Sequence, residues 1–552
     1  MTSSIKDNAV FSINQESAGS VSEELELQAN ILNKDDIKPY LYLEGSWWKH
    51  KHFRYLNFCI FLTTLTSTNN GYDSSMLNGL QSLSKWKSDM SHPAGPVLGA
   101  LNNGNTFGVM LSFVVASFIA DKIGRKYAIM LGSSITILGA ILQGVSTNYA
   151  FFLISRMVIG FGSGIAIVSS PSLISEISYP THRPTATALY NVFWYLGAII
   201  AAWVTFGTRI LSSSYCWRVP SYLQGALPFF QVVCFWMVPE SPRYLISKGK
   251  NEKAREILHK FHTGSSQDER AFRLVEFEMK EIESALELEK LYANTKYADF
   301  FTIASFRKRL FLVVFVSIIM QLSGNGLVSY YLSKVLNSIG ITGQKEQLEI
   351  NGCLMIYNLV VAGTVATFVD RFKRRTLFLF STGMMLILYV IWTILSAINQ
   401  QRNFEQKSLG NGVLAMIFLY YAAYDVGANG LPWLYMTEIL PYSHRAKGIN
   451  IHNLVQTWIV VYNGFVNAIA MDAIEWKYYI VYCCILAVEF TVVYFTFVET
   501  SGYTLEEVAK VFGDDAESTL KFMSAPSDKL SFNHSERKSN KGDSTRDYTE
   551  NV

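Results

Sequence analysis

Apolar stretches of one kind recur along most of this chain. The runs 127–146, 310–322, 376–397 and 478–498 are apolar on every side instead of along one stripe, a pattern expected of helices with no water-facing surface. A membrane-crossing helix needs roughly 20 mostly apolar residues, because only a helix satisfies all of its own backbone polar groups inside hydrocarbon. Scanning for such segments predicts twelve spans: 56–80, 97–120, 127–146, 150–172, 186–209, 221–238, 310–333, 350–369, 376–397, 411–436, 448–470 and 478–498. Between spans 6 and 7 lies a polar stretch, 246–300, rich in Glu and Lys with helical spacing around Glu276–Leu291. It reads as short amphipathic helices joining two six-span halves. The chain then divides into an N-terminal tail (1–54), a first bundle (55–245), a helical linker (246–305), a second bundle (306–500) and a C-terminal tail (501–552) whose end is rich in Ser, Lys and Asp.

Composition agrees with a membrane protein more than with a set of soluble domains. Of 552 residues, 50% are hydrophobic and only 16% charged, and the mean hydropathy is +0.19. A formal net charge of +3 is too small to suggest a nucleic-acid partner. The six cysteines fall mostly in or beside apolar spans, with neither zinc-site nor secreted-disulfide spacing. The first ~50 residues are polar and carry no cleavable signal, so span 1 is expected to direct insertion. Lys and Arg decide the orientation. Loops after spans 2, 4, 6, 8 and 10 hold Lys122, Arg125, Lys126, Arg183, Arg243, Lys248, Arg307, Arg371, Arg375 and Lys447, whereas the opposite loops carry a scattering such as Lys85 and Lys334. Both termini are therefore expected in the cytoplasm. The sequon Asn533-His534-Ser535 would then never meet the glycosylation machinery.

The strongest architectural signal is an internal repeat. Asp121-x3-Arg125-Lys126 after span 2 returns as Asp370-x3-Arg374-Arg375 after span 8. Glu176-x6-Arg183 after span 4 returns as Glu438-x6-Arg445 after span 10, and Glu240-Ser241 after span 6 as Glu499-Thr500 after span 12. Three charged signatures in one order, about 250–260 residues apart, mark two parallel repeats. Two such repeats with a site between them suit alternating access; a channel or a membrane enzyme has no need of that symmetry. No metal, nucleophile–base or phosphate-loop constellation points to an enzyme or a bound cofactor. Gly160-x-Gly162-x-Gly164 lies inside a span, where it permits close helix packing. The repeated carboxylates and guanidiniums, with Arg243, are expected at the inner helix ends. There they either form static surface pairs or pair across the halves when an inner gate shuts.

Together these segments resemble a known family. Asp121-Lys-Ile-Gly-Arg-Lys126, Arg156-x3-Gly160-x-Gly162-x-Gly164, Pro239-Glu-Ser-Pro-Arg243 and Glu438-Ile-Leu-Pro441-x3-Arg445-Ala-Lys-Gly448 look like the signatures of the sugar porter family of the major facilitator superfamily, from about residue 55 to 510. Ser323-Gly-Asn-Gly326 followed by Ser329-Tyr-Tyr-Leu332 most resembles the fungal lactose and cellodextrin permease branch. The resemblance implies an all-α membrane fold of twelve helices in two pseudo-symmetric six-helix bundles. It also implies a sugar substrate, residence in the plasma membrane, and binding positions at Asn191, Gln321, Asn325, Tyr330, Asn358, Trp433 and Gln456. Read alone, each is a polar or amphipathic side chain inside an apolar helix, where it needs a partner, either another helix or a ligand. Neutral amides and an aromatic platform suit a ring with many hydroxyls.

Three departures stand out. Met320 replaces the first of two glutamines usual in the family, Gly326 replaces an asparagine, and Asn429 replaces a glycine four residues before Trp433. They are expected to enlarge the pocket for a disaccharide or a larger β-linked sugar. Asp73 in span 1 and Arg156 in span 4 lie in apolar helices, where an unpaired charge costs about 2.5–3.5 kcal/mol, so the two are expected to face each other. In the family, an aspartate at this span-1 position marks proton symporters; a purely structural buried pair is the other reading. Asp425 in span 10 is a candidate second proton or sugar ligand, and Glu489 in span 12 is expected to pack against a polar neighbour. Passive hexose facilitation, or sugar sensing without transport, are the alternatives.

Overall fold

The structure is a computed structural model and describes residues 47–292, 295–368 and 371–501, with Leu41, Val508 and residues 511–513. Asp370, most of both tails and the sequon at Asn533 lie outside the described residues. Twelve spans form two six-helix bundles. Spans 1–5 are Lys51–Leu80, Gly95–Ile123, Arg125–Val145, Tyr149–Ile177 and Arg183–Thr208. Span 6 is two pieces, Tyr215–Leu223 and Ala226–Cys234. The second bundle holds span 7 (Ala304–Leu322 and Asn325–Asn337), span 8 (Gln344–Phe368), span 9 (Arg374–Gln401), span 10 (from Lys407 to Ile439), span 11 (Tyr442–Ile474) and span 12 (Tyr478–Thr496). Among the described residues, nine helical stretches are long and apolar enough to cross a membrane; the last, Ser443–Thr496, contains spans 11 and 12. Span 1 is not among them because Thr63–Asn70 and Asp73–Ser75 make it polar, and span 6 because its helix is interrupted.

Three spans are interrupted or distorted along their length, span 10 among them, as Pro432 leads one to expect. Span 6 opens at Gln224-Gly225, just after Pro220. Span 7 opens at Ser323-Gly324, where Gly324 takes φ +103° and a β-carbon would stand 2.6 Å from the Tyr389 ring. Backbone groups freed inside a membrane must find partners. Three tyrosines of span 10 supply them: Tyr424 Oη donates to the Met320 carbonyl (2.8 Å), Tyr420 Oη to Ser323 (2.9 Å) and Tyr421 Oη to Asn325 (3.3 Å). Span 10 itself carries a π-helical turn, Asp425–Asn429, a distortion often found at functional sites.

The charged repeat becomes the same hydrogen-bond circuit twice, once in each bundle on the basic face. In the first, Glu240 accepts from the backbone N–H groups of Arg125 and Lys126 that open span 3 (3.1 and 3.2 Å). Arg125 lies 3.6 Å from Glu176, and Ser241 donates to Glu176. In the second, Glu499 accepts from the N–H groups of Arg374 and Arg375 that open span 9 (2.8 and 3.2 Å). Arg374 lies 3.3 Å from Glu438, and Thr500 donates to Glu438 (2.6 Å). Carboxylates at helix N-termini satisfy orphan N–H groups and meet the positive end of the dipole. These contacts stay within their own bundle.

The linker is more helical than expected, with Asn251–His262 and a 24-residue helix, Glu269–Tyr292. His262 anchors it. Its Nδ1 faces the Glu278 carboxylate (3.0 and 2.9 Å) and its Nε2 the Ile177 carbonyl at the end of span 4 (3.1 Å). An ionised carboxylate and a carbonyl can only accept, so this pairing favours protons on both ring nitrogens, the imidazolium form. Burial alone would depress its pKa, but Glu278 and the Ile177 carbonyl outweigh burial and raise it above the ordinary 6.5. His52, His182, Arg183 and Glu281 are the other titratable groups around it. A raised folded-state pKa gives stability that is complete below about pH 6.5 and is lost as pH rises through the raised value. Protection of residues 251–292 from hydrogen exchange, corrected for intrinsic rate, should therefore fall as pH climbs past that point. Glu278→Gln should remove most of that dependence.

Candidate functional site

Asp73 lies at the centre of the first bundle, 2% exposed, and four donors from three other spans converge on it. Arg156 Nη1 and Nη2 approach its two oxygens in a bidentate pair, each at 3.0 Å. Asn105 of span 2 donates to Oδ2 (2.6 Å), and Gln224, in the break of span 6, donates to Oδ1 (2.7 Å). Gln143 donates to Ser221 (3.2 Å) and, more weakly, to the Gln224 oxygen (3.5 Å), which turns the Gln224 amide nitrogen toward Asp73. Glycines permit the convergence. A β-carbon on Gly71 would stand 1.9 Å from the Trp194 carbonyl oxygen, and one on Gly160 would stand 2.0 Å from that of Asn105. Spans 1 and 5, and spans 2 and 4, therefore cross at backbone contact. The facing of Asp73 and Arg156 follows the expectation from sequence. Asn105 and Gln224 went unnoticed there, although each is an amide in an apolar span.

The two bundles are joined at the end remote from the basic loops, here called the far face. Asn78 of span 1 donates to Asn351 (3.3 Å) and accepts from the Leu332 N–H (3.1 Å). Gln81 donates to the Tyr330 carbonyl (2.9 Å), Asn103 of span 2 to the Val461 carbonyl (3.0 Å), and the Gly95 N–H to Asp472 (3.1 Å). Asp73 is thus five residues from one far-face contact on its own helix, and its partner Asn105 is two residues from another.

Towards the basic face the seam opens. Asn191 precedes Tyr195 by one helical turn on the same face of span 5, and Tyr195 bonds to Asp425 of the other bundle (2.9 Å). Asn191 is nevertheless exposed, so water reaches the seam there. In the second bundle Trp433 meets His452 edge-on, with ring centroids 5.0 Å apart. His452 Nδ1 lies 2.7 Å from Ser317 Oγ. Gln321 and Gln456 sit one turn beyond Ser317 and His452 on parallel helices, and the Gln321 carbonyl accepts from Asn463. Helical spacing therefore brings Gln321, Trp433 and Gln456 to one neighbourhood. Asn358 is two turns beyond Asn351 on span 8, 1% exposed, and its Oδ1 finds no hydrogen-bond partner among the described residues.

The remaining expected ligands are placed differently. The Asn325 amide donates to Tyr424 Oη (2.9 Å) and holds the start of the second piece of span 7. Tyr330 lies near the far-face contacts. Arg243 pairs with Glu289 of the linker (2.8 Å), Arg183 is half-buried, and Arg445 donates to the Leu440 carbonyl (3.4 Å). Glu489 is 1% exposed, and neither carboxylate oxygen finds a hydrogen-bond partner among the described residues, although Tyr420 and Tyr424 of span 10 lie close enough to interact with it. The enlarged pocket is not seen at two of the three departures. A β-carbon on Gly326 would already touch Asn463 (3.0 Å), and the Asn429 side chain fills space, donating to Tyr195 (3.0 Å) and Asp425 (2.9 Å).

Residues 59–512 match the family described as "Sugar (and other) transporter". The chain belongs to that family. The transporter is 28% identical over 490 residues to the MFS-type transporter oryC of Aspergillus oryzae, spanning 86% of this chain and 87% of that one. It is 26% identical over 482 residues to a low-affinity glucose transporter of Kluyveromyces lactis, with coverages of 84% and 83%. The inward-open xylose transporter XylE from E. coli shares the fold, with a TM-score of 0.68 at 20% identity over 83% of this chain and 99% of that chain. These relatives are named as MFS-type and glucose transporters, and not as the lactose or cellodextrin permeases that span 7 suggests.

The buried pair also sets a stability expectation. Removing one partner of a buried pair strands the other charge, at about 3–5 kcal/mol. Arg156→Met should lower the thermal midpoint of the detergent-solubilised transporter sharply, and adding Asp73→Asn should recover most of the loss.

Proposed function

We propose that this chain is a proton-coupled sugar symporter of the plasma membrane, working by alternating access with both termini in the cytoplasm. The bundles of residues 55–245 and 306–500 are the moving bodies and 246–305 tethers them. The substrate chamber lies between Asn191 and Asn358 on one side and Gln321, Trp433 and Gln456 on the other. Asn325 and Tyr330 shape it through the break of span 7 and the far-face contacts. Amides donate and accept, and an indole offers a flat apolar face, so the chamber suits a neutral polyhydroxylated ring.

The observation that carries the coupling is the placement of Asp73. Its carboxylate holds spans 1, 2, 4 and 6 together directly behind the far-face contacts of Asn78 and Asn103. A proton arriving from the far face neutralises the carboxylate and weakens its bidentate bond to Arg156. Spans 1 and 2 are then held less firmly in the geometry that closes the far face, and the neutral carrier with its sugar can reorient. Release of the proton on the basic side restores the pair and resets the cycle. A potential of 100 mV contributes about 2.3 kcal/mol per proton, enough for roughly 50-fold accumulation. On the basic side, the circuits of Arg125, Glu176 and Glu240 and of Arg374, Glu438 and Glu499, with Asp121, Asp370, Arg183, Arg243 and Arg445 beside them, are the surfaces that meet when the inner gate shuts.

Two substrate sizes have support. The span-7 sequence Ser323–Leu332 favours a disaccharide such as lactose or cellobiose, whereas the Asn429 side chain, filling what a glycine would leave open, favours a hexose. Uptake of labelled glucose, xylose, lactose and cellobiose, with and without an uncoupler, separates them. Symport predicts accumulation that the uncoupler abolishes and an Asp73→Asn variant that equilibrates sugar without concentrating it. Accumulation surviving either change would reject coupling through Asp73, and transport of none of the four would reject the sugar reading.

A further inference from the structure

A buried polar contact between the two bundles joins spans 5 and 10. Tyr195 Oη donates to Asp425 Oδ1 (2.9 Å), Asn429 Nδ2 donates to the same Oδ1 (2.9 Å), and Asn429 Nδ2 also approaches Tyr195 Oη (3.0 Å). The three groups form a closed triangle. Tyr195 belongs to the first bundle; Asp425 and Asn429 are the two ends of the π-helical turn in the second. Asp425 is 3% exposed, and its Oδ2 finds no hydrogen-bond partner among the described residues.

The triangle has a definite place in the seam. Span 5 runs from the basic face at Arg183 toward the far face, and span 10 runs the other way. Asn191, one turn before Tyr195, and Trp433, one turn after Asn429, therefore both lie on the basic side of the triangle. The triangle closes the chamber on its far side. It also joins two residue types that alternating access must separate, since opening the far face draws spans 5 and 10 apart there.

We infer that Tyr195 is a stand-in for substrate: its hydroxyl, held by Asp425 and Asn429, clasps the bundles when the chamber faces the basic side. On this reading a hydroxyl-rich ligand takes over the same two partners when the chamber faces the far side. The inference rests on the sugar-transport reading for its ligand class. The chemistry is matched, because a phenolic hydroxyl and a sugar hydroxyl each donate one proton and accept through lone pairs. The π-helical turn brings the acid and the amide onto one side of the helix with a spacing that a single hydroxyl spans. The second carboxylate oxygen, buried and without a partner among the described residues, is a further acceptor that Tyr195 does not use and a polyol would. Tyr195 is thus a positioning and specificity residue, because loss of its hydroxyl removes competition for Asp425 and loosens the state closed to the far face.

The test uses the full-length transporter in oriented proteoliposomes and compares the parent with Tyr195→Phe, which keeps the ring and its packing. Asn429→Ala serves as a second variant that cuts the same triangle from the other bundle. If the clasp holds the far face shut, Tyr195→Phe raises the share of carriers open to that face. The half-saturating concentration of sugar applied there should then fall about three-fold or more, because apparent affinity scales with the competent population. The maximal rate should not rise with it. A readout independent of sugar is hydrogen exchange at the far-face segments 95–105 and 325–337, which should become faster in both variants. Combining the two variants should add little beyond either one, since both open one triangle. Unchanged half-saturation together with unchanged exchange in both variants would overturn the clasp while leaving sugar transport standing. Faster exchange in a protein that moves no saccharide would uphold the clasp and remove the sugar reading instead.

Discussion

A carboxylate inside a membrane protein cannot be left alone, and the satisfaction of Asp73 organises the whole first bundle. Four hydrogen bonds reach it from three different helices, and charge-assisted bonds of this kind are worth about 1.5–3 kcal/mol each. Meeting that demand requires spans 1, 2, 4 and 6 to converge within side-chain reach of one point. Backbone crossings at Gly71 and Gly160 allow it, and the interruption of span 6 delivers Gln224. The polarity that keeps span 1 out of any simple hydropathy scan is therefore the feature that fixes the positions of its neighbours.

The two bundles treat charge in the same way at the basic face and differently in their interiors. Glu240 and Glu499 cap equivalent helix starts, and Glu176 and Glu438 each take an arginine and a hydroxyl. Each circuit is complete within its own bundle, so either bundle can move as a body without breaking it. Inside, the first bundle centres on an ion pair, whereas the second centres on tyrosines that bridge the break of span 7. The polar contacts between the bundles are instead separate hydrogen bonds from amides, backbone N–H groups and the Tyr195 hydroxyl, and the neutral ones are worth about 0.5–1.5 kcal/mol net each. That hierarchy, strong within and weak between, is what a pair of rocking bodies requires.

The chamber also shows why a substitution read in isolation misleads about volume. Replacing glycine by Asn429 adds a side chain, and here that side chain bonds Tyr195 and Asp425 across the seam. Gly326 removes a side chain, and Asn463 from span 11 stands where it would have been. Gain and loss at single positions are answered by neighbours from other helices, so the size of the space between bundles is a property of several spans together.

Much of the architecture was legible in the sequence. Sustained apolar runs locate the spans because lipid imposes a length and forbids unpaired backbone, and charged signatures returning in order expose the duplication because helix ends at the basic face face the same electrostatic demand twice. The facing of Asp73 and Arg156 was readable from cost alone, since neither could remain unpaired. Tertiary structure alone decided that Asn105 and Gln224 complete that pair, that Asn325 serves the span-7 break, that Glu489 finds no hydrogen-bond partner among the described residues, and that Tyr195 reaches Asp425. Each of these depends on the rotation and depth of one helix against another. Those are set by many small packing contacts and by where a helix breaks, whereas periodicity along a single segment records only which faces are apolar.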